Sequence, residues 1–305
     1  MALGPATRTP GARLALVDRR AIGRFAIYAK PIVASTLIYL VIGLVDRHLA
    51  LERFGAAATG KLSLATDLGF RLFVAIAVMP ESLLFQYALK RERDEGRAAA
   101  ERQIATNFVL IFAMLAPLTA GYMAMAPTFD ALVVPAAFRG DYARLSLFLA
   151  PGFFAFCALY SMCNSVFQLA KRTWPLTFAA LAALVVNLVL VKLPFFSSDI
   201  DGIAQAYALS LVVGFVAAAV PALLQRTIHP AWRDMIVIAV ATGAMAFIVR
   251  PLNAIHPPLL AAAASLAVGG AIIAGAILAA DVGGMRGFAV ERLRILALSR
   301  SSRAA

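Results

Sequence analysis

Long apolar segments alternate with short polar ones along almost the whole chain. A helix that crosses a membrane needs about 20 mostly apolar residues, and eight segments have this character. They lie near residues 26–45, 64–88, 105–126, 146–169, 174–193, 203–224, 235–250 and 259–280. Their length and their Leu, Ala, Val and Phe content favour helices over barrel strands, which are shorter and alternate. The pattern predicts an all-α integral membrane protein with about eight transmembrane helices.

The composition supports this prediction. Of the 305 residues, 62% are hydrophobic and 14% are charged, whereas a soluble domain is about 45–50% apolar and about 25% charged. The apolar excess is spread along the chain, which favours a multi-pass membrane protein over a soluble domain with an anchor. The first 24 residues are basic, and their apolar patches are too short for a cleavable signal peptide.

The net charge of +12 would indicate nucleic-acid binding in a soluble protein. In a membrane protein, Lys and Arg collect in cytoplasmic loops and contact anionic lipids. If the N-terminus is cytoplasmic, the inside segments of an eight-span chain hold more than twice as many Lys and Arg residues as the outside loops. We therefore expect both termini in the cytoplasm, membrane lipids as partners and no nucleic acid.

Charged residues are rare inside the predicted spans, because they are costly there and usually face protein or water. The second span holds Asp67 and Arg71, one helical turn apart, so the two side chains are expected to pair. A structural ion pair near the outer interface and a cavity lining that touches an anionic substrate explain them equally well.

The fourth span carries polar residues at helical spacing along one face. They are Ser161, Asn164, Ser165 and Gln168, and Arg172 extends the row. Hydrogen bonding between helices would explain such a row. Five positions in register favour the alternative, a water-filled pathway.

Catalytic and metal-binding motifs are missing from the sequence. It contains no HExxH, GxSxG or Walker motif and no Cys/His cluster, and Cys157 and Cys163 lie in an apolar stretch on different helical faces. We therefore expect neither an enzyme nor a cofactor or metal.

The order of several motifs resembles the second half of the polysaccharide flippases, in the multidrug/oligosaccharidyl-lipid/polysaccharide exporter superfamily. DRHLALERFGAAATGKLSLATDLGFR resembles the start of that half, where an Asp-Arg pair ends one helix and a short outer loop with spaced glycines follows. The matching residues are Asp46, Arg47, Leu49, Gly55 and Gly60. Lys61 stands where a Tyr is common, and the charges from Asp46 to Lys61 are expected in water and headgroups.

Later segments resemble the same family. SVFQLAKRTWPLTFAALAALVVNLVLV, with Asn187, resembles a helix, a basic turn and an Asn-bearing helix, and DIDGIAQAYALS, with Gly202, resembles the start of the next helix. The resemblance implies four parts. These are a basic cytoplasmic linker at 1–22, a six-helix lobe at 23–225, two additional transmembrane helices at 226–284 and a basic interfacial tail at 285–305.

Members of the family have two six-helix lobes around a central cavity, so this chain resembles the C-terminal half alone. The resemblance implies flippase-like translocation of a polyprenyl-pyrophosphate-linked oligosaccharide across the bacterial inner membrane. A truncated protein, a split flippase, or pairing with a second lobe or a homo-oligomer partner all remain open. Arg71 and Arg172 would attract the phosphates, Asp67 would position Arg71, and Ser161, Asn164 and Gln168 would bind the sugars.

Two alternatives remain beside this interpretation. A cation-coupled multidrug exporter of the same superfamily would need a deep carboxylate, and the sequence offers no strong acid at the middle of a span. A non-transporting remnant, or an assembly partner in a polysaccharide complex, is favoured by the missing lobe.

Overall fold

The computed structural model describes residues 19–224, 229–284 and 286. Most of the predicted linker and tail lie outside these residues. The α-helices are α1 Arg19–Glu95, α2 Arg97–Ala124, α3 Ala126–Val133, α4 Asp141–Ala158, α5 Asn164–Leu169, α6 Trp174–Leu190, α7 Pro194–Ser197, α8 Ile200–Leu224, α9 Trp232–Val249 and α10 Pro258–Ala280. A π-helical turn, Leu159–Cys163, joins α4 to α5, and 3₁₀ turns include Arg250–Ala254. The part of the chain that the structure describes contains no strand, which confirms the all-α class.

Each predicted span falls on a helix. Within the described residues, six helical segments are long and apolar enough to cross a membrane, and the first of them, Ala29–Glu95, holds most of the first predicted span and all of the second. The fifth predicted span corresponds to α6, which is apolar but has 17 residues. The protein is therefore an all-α, multi-pass membrane protein.

Helix α1 consists of two helices that meet at Gly55. The backbone of Gly55 has φ 77° and ψ 176°, a conformation that is essentially restricted to glycine. We call residues 19–54 arm 1 and residues 56–95 arm 2. Arg47 of arm 1 forms an ion pair with Asp67 of arm 2, so the arms fold back on each other as a hairpin. The prediction of an outer loop around Gly55 is wrong, because the backbone is helical on both sides of this residue and only Gly55 itself departs from helical geometry.

The long helix formed by α4, the π-helical turn and α5 lies at the centre of the bundle. Its most apolar window is 67% buried, against 33% or less for the other spans. Tyr142, Leu145, Leu149 and Phe153 of this central helix are fully buried. At Gly152, an added Cβ would lie 2.7 Å from the Cα atom of Ala208, so α4 and α8 pack with their backbones in close approach.

The last two helices pack beside this bundle. Helix α9 lies against both α2 and α10, and Val109 and Ala113 of α2 bury Ile238 of α9. The side chain of Asn253, just after α9, donates a hydrogen bond of 2.7 Å to the carbonyl oxygen of Ala124 at the end of α2. These contacts place the C-terminal end of α9 at the end of the bundle where Gly55 lies.

Candidate functional site

Arm 2 carries a row of exposed residues that includes four polar side chains within the second predicted span. This arm-2 stripe consists of Asp67, Arg71, Ala75, Ser82 and Gln86. The spacing repeats on one face of an α-helix. Arg71 lies seven residues, or about 10 Å, inside the predicted second span. Polar side chains at this depth usually face protein or water, so the stripe is the candidate wall of a cavity.

The predicted pair between Asp67 and Arg71 does not form. Asp67 accepts its hydrogen bond from Arg47 of arm 1, because the hairpin brings the two arms together. Arg71 is exposed and has neither a hydrogen bond nor an ion pair within the described residues. The contact by which Asp67 was expected to position Arg71 is therefore absent, and Arg71 is an uncompensated cation on the stripe.

The two serines of the polar row in the fourth predicted span, Ser161 and Ser165, face arm 2 and are buried. Ser161 donates a hydrogen bond of 3.2 Å to the carbonyl oxygen of Ala77. Ser165 donates one of 3.0 Å to Oε1 of Glu81. Because neither side chain reaches open space, hydrogen bonding between helices accounts for both of them. The sequence favoured a water-filled pathway along this row. Ser161 and Ser165 do not line such a pathway, because both are buried.

The remaining members of the row lie further along the central helix. Asn164 and Gln168 are half-buried, and Oδ1 of Asn164 is buried without a hydrogen-bond partner in the described structure. The helix ends at Leu169, so Arg172 lies exposed in the turn before α6 and does not extend the row.

The two arginines that were expected to share the phosphates lie far apart. Ser161 contacts arm 2 at Ala77, already six residues past Arg71, and Arg172 follows the end of α5. Arg97, just beyond arm 2, binds the carbonyl oxygen of Leu169 at that end. At 1.5 Å per residue, Arg71 and Arg172 are separated by more than about 20 Å along the bundle. The two side chains therefore do not reach one diphosphate together, and the attraction of phosphate expected of each of them stays a prediction.

Two residues of the family-like motifs form a buried polar pair. Asp46 is 2% exposed and Asn187 is fully buried, and Nδ2 of Asn187 donates a hydrogen bond of 3.1 Å to Oδ2 of Asp46. Oδ1 of each residue has no hydrogen-bond partner in the described part of the chain. The expectation that the Asp46 charge lies in water or headgroups is wrong, because arm 1 packs this position against α6.

The three glycines of these motifs have different roles. Gly55 breaks α1, as described above. An added Cβ at Gly202 would lie 2.6 Å from the carbonyl oxygen of Phe196, so glycine allows α7 to pack on α8. At Gly60, an added Cβ would make only an ordinary contact of 3.6 Å with Phe138, so no close approach requires glycine there.

An apolar groove of about 700 Å³ lies beside the stripe, between arm 2, α2, α3, α9 and α10. Its lining includes Leu72, Ile76, Met114, Leu132 and Leu266. Leu72 and Ile76 directly follow Arg71 and Ala75 of the stripe, so the groove occupies the adjacent side of arm 2. Sequence reasoning missed this groove, because its walls come from five separate elements.

Comparison with known proteins gives a fold relationship. No family model and no curated protein matches the chain. Among solved structures, the chain is similar to the lipid II flippase MurJ in an inward closed conformation, with 12% sequence identity and a TM-score of 0.67. The match covers 86% of this chain and 55% of that one, so the chain spans about half the length of the flippase. At this identity, the likeness shows a shared fold.

Proposed function

We propose that the protein takes part in flippase-like translocation of a polyprenyl-pyrophosphate-linked oligosaccharide across the bacterial inner membrane. The observation that carries this proposal is the position of Arg71 directly beside the apolar groove on arm 2. The fold shared with a lipid II flippase supports it. Such a substrate combines an anionic diphosphate, a polar glycan and a long apolar tail, and arm 2 offers a surface for each part.

Arg71 is suited to the diphosphate because its guanidinium stays charged and can donate two parallel hydrogen bonds to one phosphate. No carboxylate among the described residues competes for it. Ser82 and Gln86 of the stripe offer hydrogen bonds to sugar hydroxyls. The groove lets the apolar tail of the substrate stay in apolar surroundings while its polar head crosses the membrane. The substrate can therefore move along arm 2 without being bound tightly at one place.

We further propose that a second lobe or a second copy of the chain closes the cavity. In an isolated chain the arm-2 stripe would face lipid, which is costly for polar groups. The lobe would be residues 23–225, and alternating access would rock it against its partner. With both termini cytoplasmic, as the charge asymmetry indicates, the Gly55 end of the bundle faces outward.

Substitution of Arg71 tests the proposal in a strain whose surface polysaccharide depends on this gene. We expect Arg71→Ala to lower export at least about tenfold at normal protein level, because one charge-assisted contact to the substrate is lost. Lys192→Ala is the matched control, since Lys192 is an exposed cation at the Gly55 end and lines neither the stripe nor the groove. Equal export by both variants would contradict the proposal.

A second candidate, cation-coupled export, is favoured by the buried carboxylate of Asp46. A free carboxylate oxygen and a free amide oxygen of Asn187 lie together inside the bundle. If this pair takes up a proton or Na⁺ during transport, Asp46→Asn should abolish cation-dependent dye efflux in vesicles. Efflux that survives Asp46→Asn but is lost in Arg71→Ala would exclude coupling at Asp46.

A further inference from the structure

A second groove opens at the Gly55 end of the bundle, between α2, α4 and α9. Its volume is about 760 Å³. The wall is apolar, and the residues that form it include Ala120, Met123, Leu147, Ala246 and Phe247. Two arginines and one asparagine line the same groove, namely Arg144, Arg250 and Asn253. We call it the rim groove.

The polar residues of the rim groove differ in how they are engaged. Arg144 binds Oδ1 of Asp141 at 3.0 Å and Oδ2 of Asp201 at 3.1 Å. The side chain of Asn253 is held between α2 and α3, since it also accepts a hydrogen bond of 2.6 Å from Thr128. Arg250 is exposed, and its guanidinium has no partner among the described residues. As far as the described part of the chain shows, Arg250 is therefore the free cation of the groove.

The lining of the rim groove changes from apolar to cationic along α9, towards the C-terminal end of this helix. Helix α9 ends at Val249, and Arg250 follows near the end of the candidate membrane span Trp232–Ala254, where lipid headgroups are expected. Ala246 and Phe247 lie one turn before it, further into the same candidate span, and Phe247 is 82% exposed. A cation at headgroup depth above an apolar wall has the chemistry of a site for an anionic lipid.

This groove is separate from the candidate substrate surface. Gly121 and Met245 line the apolar groove beside arm 2, whereas their neighbours Ala120 and Ala246 line the rim groove. The two grooves therefore lie on different sides of α2 and α9, and an occupant of one does not fill the other.

We propose that the rim groove binds an anionic glycerophospholipid of the surrounding bilayer. Arg250 binds its phosphate, and one acyl chain lies along the wall formed by α2, α4 and α9. The bound lipid thereby contacts α9 together with α2 and α4 and stabilises their packing at the Gly55 end.

Lipid binding to the purified full-length chain tests this proposal. Phosphatidylglycerol, phosphatidylcholine and a polyprenyl diphosphate are titrated separately against the protein in detergent, and bound lipid is counted by native mass spectrometry. We expect phosphatidylglycerol to bind more tightly, and Arg250→Gln to weaken its binding about fivefold, since one arginine contact to an anionic lipid is lost. Lys192→Gln removes the same charge at the same end and should leave binding unchanged.

A second variant tests the wall. Ala246→Leu fills the groove one turn below Arg250 and should weaken phosphatidylglycerol binding with the cation in place. Three results would overturn the proposal: unchanged binding in both groove variants, equal losses in Lys192→Gln and Arg250→Gln, or preference for polyprenyl diphosphate over phosphatidylglycerol. The last result would assign the groove to the lipid-linked substrate.

Discussion

Two serine hydroxyls hold the central helix against arm 2. Ser161 and Ser165 donate to Ala77 and Glu81, two positions one turn apart on that arm. Hydrogen bonds between membrane helices contribute only about 0.6 kcal/mol each on average. At this scale, four members of the polar row in the fourth predicted span divide into two buried serines that join helices and two half-buried amides that remain candidates for the cavity.

This division gives a prediction for Ser165. We expect Ser165→Ala to lower the free energy of unfolding by about 0.6 kcal/mol and to leave polysaccharide export unchanged, because the side chain does not reach open space. Gln86 lies on the exposed stripe, so Gln86→Ala should reduce polysaccharide export and leave the free energy of unfolding unchanged. Thermal unfolding of the purified variants and export in cells measure both effects. Loss of export in Ser165→Ala at normal protein level would restore the water-filled pathway along the central helix.

Among the elements, the hairpin of α1 decides where the candidate residues lie. The single-residue break at Gly55 sets arm 1 against arm 2. This packing gives Asp67 the partner Arg47 and leaves Arg71 without a partner among the residues that the structure describes. The same packing buries Asp46 against α6.

Glycine at the break should therefore be difficult to replace. We expect Gly55→Ala to lower the free energy of unfolding by about 1–3 kcal/mol, because alanine is strained at this φ and ψ. Gly43→Ala is the control, since Gly43 lies within the same helix and an added Cβ would meet nothing within 4 Å. That variant should be neutral or stabilising by up to about 1 kcal/mol. Equal unfolding temperatures for the two variants would contradict a strained break.

The positions of the spans could be predicted from the sequence, because apolar length is a local property of the chain. Pairings between distant segments could not. Asn187 and Asp46 are 141 residues apart, and Arg47 and Asp67 are 20 apart across a break that the sequence did not place. The spacing of Arg71, Ala75, Ser82 and Gln86 is readable in the sequence, but only the packing of the bundle shows that this face of arm 2 stays uncovered.

On the scale of the whole molecule, we propose that the chain supplies one wall of a transporter cavity. Its fold matches 55% of a lipid II flippase, and in the proposed assembly a partner would cover the exposed polar stripe and exclude lipid from it. Above all, we propose that this stripe lines a water-filled cavity that binds the lipid-linked substrate.

Cysteine labelling tests that claim most directly. The native Cys157 and Cys163 are buried, so a cysteine introduced at Ala75, between Arg71 and Ser82, can be labelled in intact membranes with a charged maleimide. Leu40→Cys is the control, because Leu40 is 60% exposed on the apolar face of arm 1. We predict fast labelling at position 75, slow labelling at position 40, and protection of position 75 by lipid-linked oligosaccharide. Equally slow labelling at both positions, or labelling at position 75 that the substrate does not slow, would contradict the account.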